Sequence, residues 1–553
     1  MNMKHYNPLY DMKKILYTVF TVWLLGLSLG ACTNDTMGED PEEPFTDPIP
    51  LDELDGNTVK FNNPLIYSDI PDVSVVRAGS DYYMVSTSMH LVPGAPILHS
   101  TDLVGWEIVG YVFDKLEGSS AANFEYDAAI GRDEIYSQGS WASSLAYHNG
   151  KFYCLWNTYG FGTNTRSYIS SATNPAGPWT IEQKFDRLFY DASLFFDDDD
   201  KAYIFAAHGE TITQLNSDLS ISGTEYKFNT GSYEGEGYQV RKVNGKYYLF
   251  LMCWPSGGVR SVVCVRFDNI QGPYTARMVL SSTIEGVGDG VSQGCIVDTP
   301  DGKWYGLFFT DLGPVGRCPV LTPCRWENEW PVFGNEEGEV EAEVPAPVQS
   351  NRFSTSTVVK SDEFDTDQLD LIWQWNHNPL PDKWSLAARK GYMRLTTGQK
   401  ASDYFHARNT LTCRTMGPAC RGEISLDCAN MKNGDYAGLS MMQYQSGLVG
   451  VKKVNGKYYL FMSDGVQDGS MTERASLEID QTTVCLKVIA NFETNQASFY
   501  YSLKNNVWVK IGNDMTMTYD LKNFVGNRFA IFNYATELLG GYVDVDYFRF
   551  KRI

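Results

Sequence analysis

Three carboxylates stand out by position: Asp72, Asp191 and Glu236 each sit just ahead of a similar hairpin, in well-separated stretches of the chain. Hydrolysis of an acetal with inversion is chemistry that such acids can do. One carboxylate takes a proton from the attacking water, and a protonated acid about 6.5–9.5 Å away on the opposite side gives one to the leaving oxygen. A third acid near the proton donor would hold its pKa up by like-charge repulsion, keeping it protonated at working pH. A nucleophilic hydrolase has no comparable support. The one G-x-S-x-G string, Gly290-Val291-Ser292-Gln293-Gly294, runs into the short apolar stretch Cys295–Val297 and a turn rather than a helical pattern, so it is not read as a nucleophile elbow. The seven His, at 5, 90, 99, 148, 208, 377 and 406, lack metal-ligand spacing, so most are expected to be structural.

The elements that must bring these acids together are the hairpins themselves. Each is a turn of Gly, Asn or Asp followed by an aromatic-rich apolar strand, and five copies precede residue 310. They are Gly79-Ser80-Asp81-Tyr82-Tyr83, Asn149-Gly150-Lys151-Phe152-Tyr153, Asp199-Asp200-Lys201-Ala202-Tyr203, Asn244-Gly245-Lys246-Tyr247-Tyr248 and Asp301-Gly302-Lys303-Trp304-Tyr305. Asn-Gly and Asp-Gly supply the positive φ that tight hairpins need. The matching tyrosines, 83, 153, 203, 248 and 305, recur at 70, 50, 45 and 57 residues, near the length of one four-stranded propeller blade with insertions. Five blades are therefore expected, with the acids converging at the heads of innermost strands around a central channel. Regular hairpins also suit a sandwich, and Lys242–Phe250 recurs word for word at Lys453–Phe461, so the hairpin alone is a generic signal.

The 553 residues exceed one ordinary core, and 14% aromatics with 49 Gly favour strands joined by tight turns. An all-β chain in segments is expected: 1–31 a signal, 32–57 an acidic tether, 58–345 a propeller, 346–359 a linker and 360–553 a β-sandwich. Lys13-Lys14, the apolar run Ile15–Leu29 and the small residues after it form a secretory signal. Leu29-Gly30-Ala31-Cys32 resembles a bacterial lipobox, which makes Cys32 the lipidated mature N-terminus and the lipid the only link to a membrane; an uncleaved anchor is the alternative. The formal charge of −22 argues against nucleic acid and suits a neutral polysaccharide. The ten further Cys lack zinc-site spacing and are expected as small buried hydrophobes, although Cys318 with Cys324, or Cys413 with Cys420, could pair in an exported protein. No metal is assigned to the site.

Several segments resemble those of glycoside hydrolase family 43, five-bladed propellers that include inverting xylosidases and arabinofuranosidases. Tyr67-Ser68-Asp69-Ile70-Pro71-Asp72-Val73-Ser74-Val75-Val76-Arg77 is similar to the family's Y-x-D-P-S-x-x-R, which implies Asp72 as general base. Tyr190-Asp191-Ala192-Ser193-Leu194-Phe195-Phe196-Asp197-Asp198 is similar to D-P-S-L-F-x-D-D, which implies Asp191 as the orienting, pKa-modulating acid. Val73 and Ala192 replace the usual Pro. Glu236-Gly237-Tyr238-Gln239-Val240 resembles E-G-P-H-x and implies Glu236 as general acid; Glu234-Gly235 is a competing register that fits the distance to Gly245 less well.

The likeness extends further. Gly139-Ser140-Trp141-Ala142-Ser143-Ser144 resembles G-x-W-A-P-S, and Gly316-Arg317-Cys318-Pro319 resembles G-R-x-P, implying that Arg317 clamps sugar hydroxyls through its fork of donors. Trp141 and Trp254 are candidate sugar-stacking residues, with core packing the alternative for each. Ser292-Gln293-Gly294-Cys295 is similar to H-Q-G-G, but the His that often holds a central cation or water is Ser292 here, which argues against bound calcium; no cofactor is required. Asp362-Glu363-Phe364, Trp373-Gln374-Trp375-Asn376-His377 and Gly434-Asp435-Tyr436-Ala437-Gly438 resemble the C-terminal sandwich of one branch, whose loop narrows the active-site mouth. The resemblance implies an exo-enzyme releasing terminal β-D-xylose or α-L-arabinofuranose from xylan- or arabinan-derived oligosaccharides. An endo-arabinanase, a non-catalytic glycan-binding propeller and a carbohydrate-binding role for the sandwich are the rival readings.

Overall fold

The computed structural model describes residues 60–347, 356–504 and 507–553. The stretches read as a signal and an acidic tether, with Cys32, and part of the expected linker lie outside the described residues. No α-helix occurs among those described; the regular structure is strand, with short 3-10 turns.

The N-terminal half is a five-bladed propeller of four-stranded antiparallel blades. Their innermost strands are Ser74–Ala78, Ser144–His148, Ser193–Phe196, Gly235–Val243 and Ser292–Asp298, and each packs against the next to close a ring. The five hairpins join the first and second strands of the five blades, in sequence order. Aromatics fill the wedges between blades: Phe205, Tyr238, Tyr247 and Phe267 lie between the third and fourth, and Tyr248, Phe250, Phe308 and Phe333 between the fourth and fifth.

Innermost strands of neighbouring blades share no ladder, so their inner polar groups need other partners. Serines supply them. Ser74 Oγ accepts the Leu145 N–H at 3.0 Å, Ser144 Oγ the Leu194 N–H at 3.0 Å, and Ser193 Oγ the Val240 N–H at 3.0 Å. Ser74 also donates across the channel to Gln239 Oε1 at 2.8 Å. The Ser that follows Asp72 and Asp191 by two residues is thus a blade-to-blade bolt, and it fixes the chain from which each acid projects. Arg77 and Asp298, on the first and fifth inner strands, pair through two hydrogen bonds of 3.1 and 2.5 Å and join the ends of the ring.

The C-terminal half is a β-sandwich of two large antiparallel sheets. Buried Leu439, Val449, Leu486, Val488, Phe499, Phe529, Ile531, Val545 and Phe548 belong to its core. One sheet ends in a strand that is not its own: Leu91–Val92, from the first propeller blade, pairs antiparallel with Gln374–Asn376. The repeated sequence 453–461 forms a hairpin in this same sheet, as generic in structure as in sequence.

The cysteines are the small buried groups expected, and the two alternative pairings are corrected. All ten described Cys are unpaired, nine of them buried. Cys318 and Cys324 lie six residues apart on the single strand Arg317–Glu327, about 20 Å of extended chain, far beyond disulfide reach. Cys413 and Cys420 are buried in the sandwich core without a bond between them.

Candidate active site

Asp72 and Asp191 each stand two residues ahead of an innermost strand, and both have left-handed backbone, φ +53° and +43°. A side chain other than glycine there costs on the order of 1–3 kcal/mol, strain that persists only where the surroundings impose it. Both residues are buried. Asp72 Oδ2 accepts the Thr87 hydroxyl at 2.6 Å, and Arg317 Nη1 lies 2.9 and 3.0 Å from its two oxygens. Arg317 is itself buried, so the pair is a desolvated ion pair, with guanidinium charge balancing carboxylate charge.

Glu236 is at the head of its strand, as expected, but as the second residue of Gly235–Val243 and at a bulge between Glu236 and Gln239, whereas the two aspartates precede their strands. The bulge re-aims the side chain toward the third blade. Tyr190 donates its hydroxyl to Glu236 Oε2 at 3.1 Å, and His208 Nε2 is 3.6 Å away. Glu234, by contrast, is exposed. The Asp191 backbone carbonyl accepts the Tyr238 N–H at 3.0 Å, which ties the two acids' strands together.

Burial pushes the Glu236 carboxyl above its ordinary 4.5; the Tyr190 hydrogen bond and nearby His208 oppose the rise, and the Asp72 charge adds to it. Asp191 is raised well above 3.8, by burial first and then by the charges of Glu236 and Asp72. A buried carboxyl and a half-buried one that feel each other's charge cannot both ionise freely. The Asp191–Glu236 pair therefore keeps a proton above the usual carboxylate range, as one coupled system.

Aromatic rings line the approach to these groups. Tyr190 stacks on His208 at 4.3 Å, and Trp141 lies 3.9 Å from Tyr159, 6.0 Å from Tyr190 and 5.6 Å from Phe524, centroid to centroid. Phe524 comes from the sandwich. Its ring sits 4.5 Å from the Arg317 guanidinium, and its carbonyl lies 3.4 Å from Nη2. Asp72, Asp191, Glu236, Arg317 and Trp141 are thus brought together. Trp254 follows the second strand of the fourth blade, next to the Cys253 that pairs with Gly235; it is 58% exposed, a rim position. Thr87, Tyr190, His208 and Phe524 were not singled out in the sequence. Tyr190 adjoins Asp191 and could have been suspected, whereas Phe524 carries no local signal.

The geometry can be set beside known proteins. The family model for glycosyl hydrolases family 43 matches residues 61–331, and that for the beta xylosidase C-terminal concanavalin A-like domain matches 361–551. A protein of Xylanibacter ruminicola is 33% identical over 81% of this chain and 82% of its own. The chain belongs to glycoside hydrolase family 43. This family 43 glycosidase is also 27% identical to a beta-xylosidase of Formosa agariphila, over 90% of this chain and 91% of that one. A solved bifunctional GH43-CE protein of Bacteroides eggerthii superposes with a TM-score of 0.82 at 40% identity, covering 90% of this chain; this chain spans 64% of that protein's length.

Among the described residues of the glycosidase, no group of three His, Cys, Asp or Glu side chains is placed to hold a metal ion. Ser292 lies fully buried on the fifth inner strand with its hydroxyl unpartnered, a poor donor set for a divalent cation.

Removing the Asp191 charge has two consequences of opposite sign. In Asp191→Asn the basic limb of the pH–rate profile moves to lower pH, because Glu236 then releases its proton more readily. Stability at neutral pH rises. A carboxyl whose folded pKa exceeds its unfolded value makes the native state bind more protons, so stability is lost as pH climbs from about 4 through the raised value. The Asn variant escapes that loss: its melting temperature exceeds the parent's at pH 7, and the gap closes toward about pH 4. A lower melting temperature at pH 7 contradicts the account.

Proposed function

We propose that this glycosidase is an exo-acting, inverting enzyme that removes terminal β-D-xylose, α-L-arabinofuranose or both from plant hemicellulose oligosaccharides. The observation that carries the reading is the different keeping of two acids in one pocket: Asp72 is charge-paired with Arg317, whereas Glu236 belongs to a carboxyl pair that retains a proton. Asp72 accepts a proton from water as the water attacks the anomeric carbon. Glu236 protonates the glycosidic oxygen as its bond to that carbon breaks. Asp191 keeps the acid protonated and fixes its strand. The carboxylates and water suffice, so no cofactor is assigned.

Phe524 supports the exo assignment, since a ring from the second domain at the guanidinium narrows the site to a chain end. The guanidinium fork of Arg317, which offers more donors than the Asp72 carboxylate takes up, suits sugar hydroxyls. Trp141 offers a face for the ring, and Trp254 at the rim suits the next sugar. Xylose and arabinofuranose present similar hydroxyls to such a pocket. The net charge of −22 suits a neutral glycan and disfavours nucleic acid. Lys13 to Cys32 supports export and lipid anchoring at the cell envelope, which membrane fractionation of a Cys32→Ala chain tests.

The mature protein is expected to hydrolyse nitrophenyl β-D-xylopyranoside or nitrophenyl α-L-arabinofuranoside, and NMR of the first-formed sugar is expected to show the inverted anomer. Retention refutes the mechanism. Binding of xylan or arabinan oligosaccharides with no turnover of either glycoside refutes the exo-enzyme reading.

A further inference from the structure

Asp69 lies three residues before Asp72 and is buried, yet hydrolysis has no use for a fourth carboxylate. Its contacts join the two domains. Oδ1 accepts the backbone N–H of Arg317 at 2.8 Å, and Oδ2 accepts the backbone N–H of Gly526, from the sandwich, at 2.8 Å. Arg414, also from the sandwich, donates Nε to its carbonyl at 3.0 Å.

The approach at Gly526 tolerates no side chain: a Cβ there would meet the Val315 carbonyl oxygen at 2.1 Å and Asp69 Cβ at 2.8 Å. On one side of it, Asn527 donates from both its backbone and its amide nitrogens to the Pro314 carbonyl, at 2.9 and 2.8 Å. On the other side, Phe524 has φ +61° and places its ring on Arg317. Arg317 in turn spans both oxygens of Asp72. A continuous set of contacts therefore runs from the sandwich loop through Asp69 to the group assigned as base.

We propose that Asp69 is a positioning residue: by gripping one backbone amide from each domain, it fixes the Phe524 loop against Arg317, and through Arg317 the orientation of Asp72. The inference rests on the proposed roles of Asp72 and Arg317. A plain interface carboxylate would hold the domains together without touching turnover. Asn in its place offers one acceptor where two donors face it, so one amide is left opposed by another donor.

The test uses the whole mature chain. Asp69→Asn is expected to raise KM for the nitrophenyl glycoside and lower kcat, with kcat/KM down about tenfold or more. Gly526→Ala, which leaves Asp69 intact but pushes the loop off, is expected to give the same KM and kcat split. The double variant is expected to lose little beyond the worse single one, because both remove one coupling. Additive losses, or an unchanged kcat/KM in a folded Asp69→Asn protein, overturn the proposal. Hydrogen exchange at residues 519–527 reads the grip without turnover: faster exchange in Asp69→Asn is expected and unchanged exchange overturns it. If the parent turns over neither glycoside, the functional reading fails by itself, and exchange still decides whether Asp69 holds the loop.

Discussion

Asp72→Asn is expected to lower kcat by about 10²–10⁴-fold, the usual worth of a positioned general base. The substitution keeps the shape and leaves Thr87 and Arg317 an oxygen to contact, so the loss reports proton acceptance rather than collapse. Some stability is lost as well, because Arg317 becomes a buried cation whose partner is neutral. The role can be isolated chemically. Azide attacks an anomeric carbon without surrendering a proton, so it bypasses a missing base. With a nitrophenyl glycoside, azide should restore turnover to Asp72→Asn and release a glycosyl azide together with nitrophenolate. Product analysis that finds no glycosyl azide, with turnover still absent, argues that Asp72 does something other than accept a proton.

Glu236→Gln has the second large effect, and its size depends on the leaving group. A sugar leaving as its alkoxide needs protonation, so hydrolysis of a disaccharide is expected to fall by about 10²–10⁴-fold. Nitrophenolate is a far more stable anion and needs little help, so the nitrophenyl glycoside loses much less. The basic limb of the pH profile, which in the parent reports the coupled Asp191–Glu236 pair, is expected to vanish from what remains. Azide should not rescue this variant. Equal losses for both substrates contradict the assignment of Glu236 as acid.

The two aspartates were open to sequence reading because each stands two residues before a serine at the head of a blade, and that serine must meet the next blade's N–H. Position and chemistry coincide there within a few residues. Glu236 needed a choice against Glu234 that hairpin distance could make but could not explain; the bulge at Glu236 and the Tyr190 hydroxyl supply the reason. Five blades were countable because the hairpins are local. What could not be read depends on distant approach: Asp69 meets Gly526 across 457 residues, and nothing near Phe524 marks it as part of a pocket. The cysteines were read mainly as buried apolar groups, which they are, and only the alternative pairings fail, for a related reason. Closeness along a strand is not closeness in space, and Cys318 and Cys324 are held apart by the extended chain that joins them.

The lent strand Leu91–Val92 makes the chain a poor candidate for division. Cutting at the linker would give one fragment whose sheet ends at a bare Gln374–Asn376 edge and another bearing a strand with nothing to pair. Such halves are complementary rather than autonomous, and exposed edges of this kind invite wrong partners. During synthesis the first blade emerges long before the sheet it will complete. The catalytic half therefore waits, with its mouth unfinished, until the last third of the chain arrives to close it.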